Sequence, residues 1–178
     1  MQEQLTETIT GRMDHDTLDH CFATHRLALE FEKAKGIDND LLSTAAAYHD
    51  VGKIYISGNV LNKKADEPLT QIEKDIISAH PYFGYRLLKE IGVDDKICNI
   101  VLYHHGSIPS HFVEENELPK PTEEEFYLSN ILYGLDVYTA LIQIRPYRSA
   151  YSRDDAIRII KADKKQHVDL IRFLENYR

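Results

Sequence analysis

Apolar residues recur at three- and four-residue steps through almost the whole chain, and glycine, proline and cap residues separate the periodic stretches. From Asp14 to Lys35, the residues Leu18, Cys21/Phe22, His25 and Leu29 mark one face of an amphipathic helix, and Gly36 ends it. Asp38-Asn39-Asp40 offers N-cap chemistry for a helix over 38–50, with Gly52 as its stop. KIYISGNVLNKKADEPL reads as a loop with a turn at Ser57-Gly58-Asn59. Thr70 followed by Glu73 is a capping box for a helix over about 70–90, which Gly92 breaks. Another helix covers about 94–105, and the proline-rich, acidic GSIPSHFVEENELPKPTEEE is a long loop. Thr122 caps a helix over 123–144 that must end before Pro146; Ser152 caps 153–162, and 166–177 forms the last helix. No alternating strand pair competes with this pattern. The fold class is all-α: a compact single-domain multi-helix bundle over 1–178, with its core at about 13–162.

A length of 178 residues, 43% of them hydrophobic, suits one domain with a sizeable core. A formal net charge of −8 argues against general nucleic-acid binding, which needs a basic footprint. It leaves room for an anionic small molecule where local cations reverse the field. Cys21 and Cys98 lack a CxxC spacing and read as two buried thiols in a reducing compartment. No apolar run reaches the roughly 20 residues of a membrane span. The polar, acidic start MQEQLTETITGRMD is not a leader, so the expected location is the cytoplasm, away from membranes.

The nine histidines matter through their positions. His25 projects from the apolar face of the first helix, where a lone histidine is more often a satisfied core residue. His49-Asp50 ends the second helix, His80 lies in ISAHPYFG, and His104-His105 ends a further helix. Asp136 sits inside ILYGLDVYTAL, where a carboxylate is costly unless paired, hydrogen-bonded or metal-bound. Together these are imidazoles and carboxylates on five separate helices. That donor set suits Fe, Mn, Zn, Ni or Co, and seven side chains suit two ions sharing a bridging carboxylate. His15, His20 and His167 stand in polar surroundings and read as surface residues, while His111 lies in the long loop and is a candidate substrate contact.

The same residues resemble the HD phosphohydrolase superfamily, most of all its HD-GYP phosphodiesterase branch. HRLALEFEKAKG resembles that branch's first ligand helix and YHDVGKI its HD-x-GK signature. LTQIEKDIISAHPYFGYRLLKEIG resembles the single-histidine helix, VLYHHG the HH pair, and ILYGLDVYTALIQIRPYR the last segment. The likeness covers about residues 15–160. It implies Asp50 as a bridge between two ions, one held by His25, His49 and Asp136, the other by His80, His104 and His105. It implies Lys53 at the scissile phosphate, with Arg145 and Arg148 on phosphate oxygens near the mouth. The chain departs from the branch in three places. HHGSIPSHFVEENELPKP stands where the DGxGYP loop would follow the HH pair. Thr139 replaces an Asp three residues after the ligand Asp. Cys21 stands one turn before His25, where some relatives carry a carboxylate for a third metal, and is read as a buried thiol outside a two-metal site.

The expected activity is metal-dependent phosphoester hydrolysis by a metal-bridging hydroxide, with Asp50 and Lys53 as catalytic residues and two divalent transition-metal ions, Fe or Mn foremost. The substrate would be a nucleotide or a cyclic dinucleotide, cyclic-di-GMP among the candidates. The alternative is a catalytically degenerate HD module serving as a signalling scaffold; a di-iron oxygenase on the same fold is a third reading. A homodimer is compatible with the sequence but not demanded by it.

Overall fold

The computed structural model describes residues 11–63, 66–106, 112–113, 117–144, 149–163 and 166–177. Every element among them is helical: α1 (His15–Lys35), α2 (Leu41–Tyr48), a 3-10 helix (Val51–Tyr55), α3 (Gly58–Leu61), α4 (Gln71–Ser78), α5 (His80–Glu90), α6 (Asp95–Tyr103), α7 (Glu123–Ile142), α8 (Arg153–Ala162) and α9 (Val168–Asn176).

The caps explain most boundaries. Asp14 accepts from the Thr17 amide at the start of α1, and Gly36 closes it at φ 68° in the left-handed region that favours glycine. Thr70/Glu73 and Thr122/Glu125 both form complete capping boxes. Ser152 caps α8 as its sequence suggests. Three local expectations change. The 70–90 helix breaks at Ala79 into α4 and α5, because Pro81 in the first turn of α5 has no N–H to continue the ladder. The stretch after His49-Asp50 is a 3-10 helix and a short α3, where a loop was expected. The 38–50 helix starts only at Leu41, and Asp40 makes no side-chain cap. Its first amides are met from another helix: the buried Glu32 carboxylate of α1 accepts from the Leu42 and Ser43 N–H groups at 2.9 and 3.1 Å.

Around one hydrophobic core, α1 packs on α2 and α7, while α6 packs on α2, α5 and α7. Phe31, Leu42, Leu88, Ile100, Ile131 and Leu135 are fully buried there. The core runs past residue 162, since Leu170, Phe173 and Leu174 of α9 belong to it. The 3-10 helix lies flush on α5. A Cβ on Gly52 would come within 2.0 Å of the His80 carbonyl oxygen and 2.5 Å of the Gly84 nitrogen, so only glycine permits this approach. That contact fixes Asp50 and Lys53 relative to His80. Among the described residues, no helix is long and apolar enough to cross a membrane.

Candidate metal centre

Three of the site's histidines stand at helix ends, and each ring folds back onto its own backbone. Nδ1 of His49, His80 and His104 lies 2.8, 2.7 and 2.6 Å from the carbonyl oxygen three residues earlier, of Ala46, Ile77 and Val101. A carbonyl only accepts, so Nδ1–H donates in each case and Nε2 points inward as the ligand atom. Nε2 of His80 and Nε2 of His104 then meet at 3.3 Å. His49 Nε2 is buried without a hydrogen-bond partner. Converging acceptors and an orphaned ring nitrogen are the signature of a cation site, and the backbone carbonyls do the orienting that ligand histidines require.

Two carboxylates connect these rings. Asp50 turns Oδ1 to His80 Nε2 at 3.1 Å and Oδ2 to His49 Nε2 at 3.6 Å and Lys53 Nζ at 2.6 Å. Asp136, from the middle of α7, places Oδ1 2.7 Å from His20 Nε2 and 3.7 Å from His49 Nε2, and Oδ2 3.6 Å from His105 Nε2. Two groups with ligand atoms within 4.8 Å of one another result: His20, His49 and Asp50, and His80, His104 and His105. The residues present fit a pair of divalent ions with imidazole and carboxylate ligands. Of the seven expected ligands, His49, Asp50, His80, His104, His105 and Asp136 come together.

His25 does not. Its Nδ1 donates to the Ser43 carbonyl at 2.8 Å, and its side chain lines an outer cleft with Phe22, Arg26 and Gln143. His20, expected at the surface, is 2% exposed and takes its place. Five residues along an α-helix turn the side chain by about 140°, so the two histidines cannot share a face. The buried face of α1 is His20, Cys21, Thr24, Leu27, Ala28, Phe31 and Glu32, whereas Phe22 is 50% and Leu29 40% exposed. Polar residues on the inner face hid it: Thr24 Oγ1 meets Thr139 Oγ1 of α7 at 2.8 Å, and Glu32 caps α2. The i, i+4, i+7, i+11 spacing of His20, Thr24, Leu27 and Phe31 is the sequence signal that could have found it. Cys21 is buried with Sγ 3.9 Å from His49 Nδ1 and belongs to neither ligand group. Counted from His20, the residue one turn earlier is the exposed Asp16.

Gln143 is the second residue the sequence did not flag; its Oε1 lies 3.0 Å from His20 Nδ1. His167 is half-exposed and accepts from the Asp169 amide as the N-cap of α9. His111, Arg145 and Arg148 lie outside the described residues.

The charges inside the site are set by its two carboxylates. Burial opposes ionisation of Asp50, but Lys53, His49 and His80 outweigh it and hold the carboxyl well below its ordinary range. Burial likewise opposes charge on Asp136, and the bond from His20 with the neighbouring His49 ring reverses the outcome, so its carboxyl lies well below the ordinary range. For His49, burial disfavours the imidazolium, yet Asp50 and Asp136 on either side raise its pKa well above the ordinary value. His104 is lowered by burial and by its neighbouring histidines. His105 is pushed down to about 4, chiefly by burial. Lys53 stays charged: Asp50 more than offsets its burial. The Lys53 side chain also lines a cleft of about 130 Å³ between the start of α1 and the 3-10 helix, with Arg12, Met13, Ile56, Leu61 and Asn62 around it.

Comparison with known proteins agrees with this geometry. The HD domain family model matches residues 17–141. The chain is 29% identical over 133 residues to the cyclic di-GMP phosphodiesterase response regulator RpfG of Xanthomonas campestris pv. campestris (strain 8004), covering 72% of this chain and 33% of that protein. It is 33% identical over 139 residues to a cyclic di-GMP phosphodiesterase of Vibrio cholerae serotype O1, covering 73% of this chain and 27% of that protein. The chain thus spans about a third of the length of the curated relatives it matches. In fold it is similar to the HD domain of the L. monocytogenes phosphodiesterase PgpH in complex with cyclic-di-AMP, with TM-score 0.67 and 19% identity over 95% of this chain and 92% of that one. The family model spans most of the chain, and the paired histidines and aspartates it leads one to expect converge in one buried site: the chain belongs to the HD domain family.

Proposed function

We propose that this chain is a metal-dependent phosphodiesterase acting on a cyclic dinucleotide. The observation that carries the reading is the pair of histidine groups joined by Asp50 and Asp136, with His49 Nε2 buried and unpartnered between the two carboxylates. When bound, a pair of divalent ions supplies Lewis acidity and lowers the pKa of water to near neutrality. Fe or Mn fits the imidazole and carboxylate donors; Zn, Ni and Co are compatible with them.

The protein's own residues do the remaining work. Asp50 carries one oxygen toward each histidine group and would be shared by the two ions. His20, His49 and Asp136 would hold one ion, and His80, His104 and His105 the other. Lys53 is bonded to Asp50 here. Neutralising Asp50 frees the ammonium to meet a phosphate oxygen, where it stabilises the charge that grows in the transition state. The small cleft beside Lys53 carries the polar side chains of Arg12, Asp14, Thr17 and Asn62 and would take a polar part of the substrate next to the scissile phosphate. Arg145 and Arg148 are proposed as further phosphate contacts. The names of the relatives support a cyclic dinucleotide. The departures after the HH pair leave open which one, so cyclic-di-GMP is one candidate and cyclic-di-AMP another.

The test is metal content by mass spectrometry on protein purified without chelator, joined to hydrolysis of cyclic-di-GMP, cyclic-di-AMP and bis(p-nitrophenyl) phosphate. About two ions per chain are expected, lost in Asp50→Ala together with phosphodiester hydrolysis. A wild-type chain that stays metal-free after anaerobic loading with Fe and Mn would overturn the reading and favour the scaffold alternative.

A further inference from the structure

His20 is held differently from its neighbours. His49, His80 and His104 stand at helix ends, where a main-chain carbonyl is free to fix the ring. His20 lies inside α1, where the ladder uses the carbonyls of the preceding turn. Its Nδ1 must find an acceptor elsewhere, and it finds Gln143 Oε1 at 3.0 Å, 123 residues away in the chain. Asp136, on the other side of the ring, takes Nε2 at 2.7 Å. Asp136 and Gln143 are seven residues apart, two turns along α7, and so lie on one face. The imidazole is thereby clamped at both nitrogens by a single helix.

We propose that Gln143 is the positioning residue for His20: it accepts the Nδ1–H bond, fixes the tautomer and turns Nε2 to the metal. This rests on the metal-centre reading above. The other three rings take this support from the backbone, which substitution cannot remove; His20 takes it from a side chain, which can be altered. Outer-shell partners of ligand histidines commonly control metal affinity by 10–100-fold. Gln143 caps the C-terminus of α7, and its outer side lines a surface cleft of about 550 Å³ with Phe22 and Arg26, so the fold tolerates its replacement.

The experiment compares wild type, Gln143→Ala and Gln143→Glu by competitive chelator titration with Mn, with thermal melts of the metal-free forms as a folding control. Gln143→Ala should weaken one of the two ions about tenfold or more, leave the other unchanged and lower the metal-free melt only by the few degrees that one lost hydrogen bond costs. Gln143→Glu, which restores an acceptor, should recover wild-type affinity or exceed it. Two unchanged ions in Gln143→Ala would overturn the proposal while leaving the metal centre standing. Equal weakening in Ala and Glu would also overturn it, because packing and not the acceptor would then be responsible. A wild-type chain that binds no ion removes both readings together.

Discussion

Nε2 of His80 and Nε2 of His104 face each other at 3.3 Å while each ring gives its Nδ1–H to its own backbone. Two ring nitrogens so oriented repel unless something electropositive lies between them. The backbone hydrogen bonds therefore hold the site in a geometry that is complete only with a cation, and several consequences can be measured.

Replacing His20 and replacing His25 should give opposite results. His20→Ala removes a buried ring bonded to Asp136 and Gln143, and metal content should fall with phosphodiester hydrolysis. His25→Ala loses one hydrogen bond to the Ser43 carbonyl, worth about 1 kcal/mol, and should keep its metal and its activity. Metal analysis of the two variants side by side decides the matter: full loading of His20→Ala would remove it from the ligand set.

Lys53→Met should separate binding of metal from chemistry. The methionine keeps the stem of the side chain as far as Cε but leaves Asp50 without its ammonium partner. With both ions bound, Asp50 is still neutralised, so metal content should hold. The rate should drop by about 10²–10³-fold, as for loss of one charge-stabilising donor. A Lys53→Met chain as active as wild type would place Lys53 outside the chemistry.

Metal uptake should release protons unevenly. His49 carries a raised pKa and must lose a proton to bind, whereas His104 and His105 are already neutral at pH 7. Titration calorimetry in buffers of different ionisation enthalpy should show about one proton released near neutrality; none released would contradict the charge on His49. In the metal-free protein His104 and His105 take stability away on acidification, against the opposite contribution of His49, whose raised pKa favours the folded state at low pH. His105 takes a proton near 6.5 when unfolded but only at about 4 when folded, so its contribution is present above that window and falls as pH drops through it. Melting temperatures between pH 7 and pH 4 test the sign.

Gly52→Ala should damage the fold and the site together. A methyl group there collides with the main chain at His80 and Gly84, which no side-chain rotation relieves. A loss of about 1–3 kcal/mol or more is expected, read as a lower melting temperature, with reduced metal loading because Asp50 and His80 no longer face each other. An unchanged melt would show that the 3-10 helix can shift away from α5 without cost.

The sequence by itself determined the all-α class, most of the helix limits and six of the seven side chains that the fold brings together at the candidate metal centre. These follow from local chemistry: capping boxes at Thr70 and Thr122, a glycine at 36, and histidines and aspartates that stand at helix ends or inside an apolar run. Pro81 also carried the break between α4 and α5 in its missing N–H, although the apolar period runs across it. Tertiary structure alone decided which way α1 faces. Its inner side carries His20, Thr24 and Glu32, which are met there by Asp136, Thr139 and the first amides of α2. Those partners lie on other helices, so the spacing of His20, Thr24, Leu27 and Phe31 within α1 offers this face only as one of two, and the partners decide between them. For the same reason Gln143 was invisible in the sequence: its role exists only where α7 passes the ring of His20.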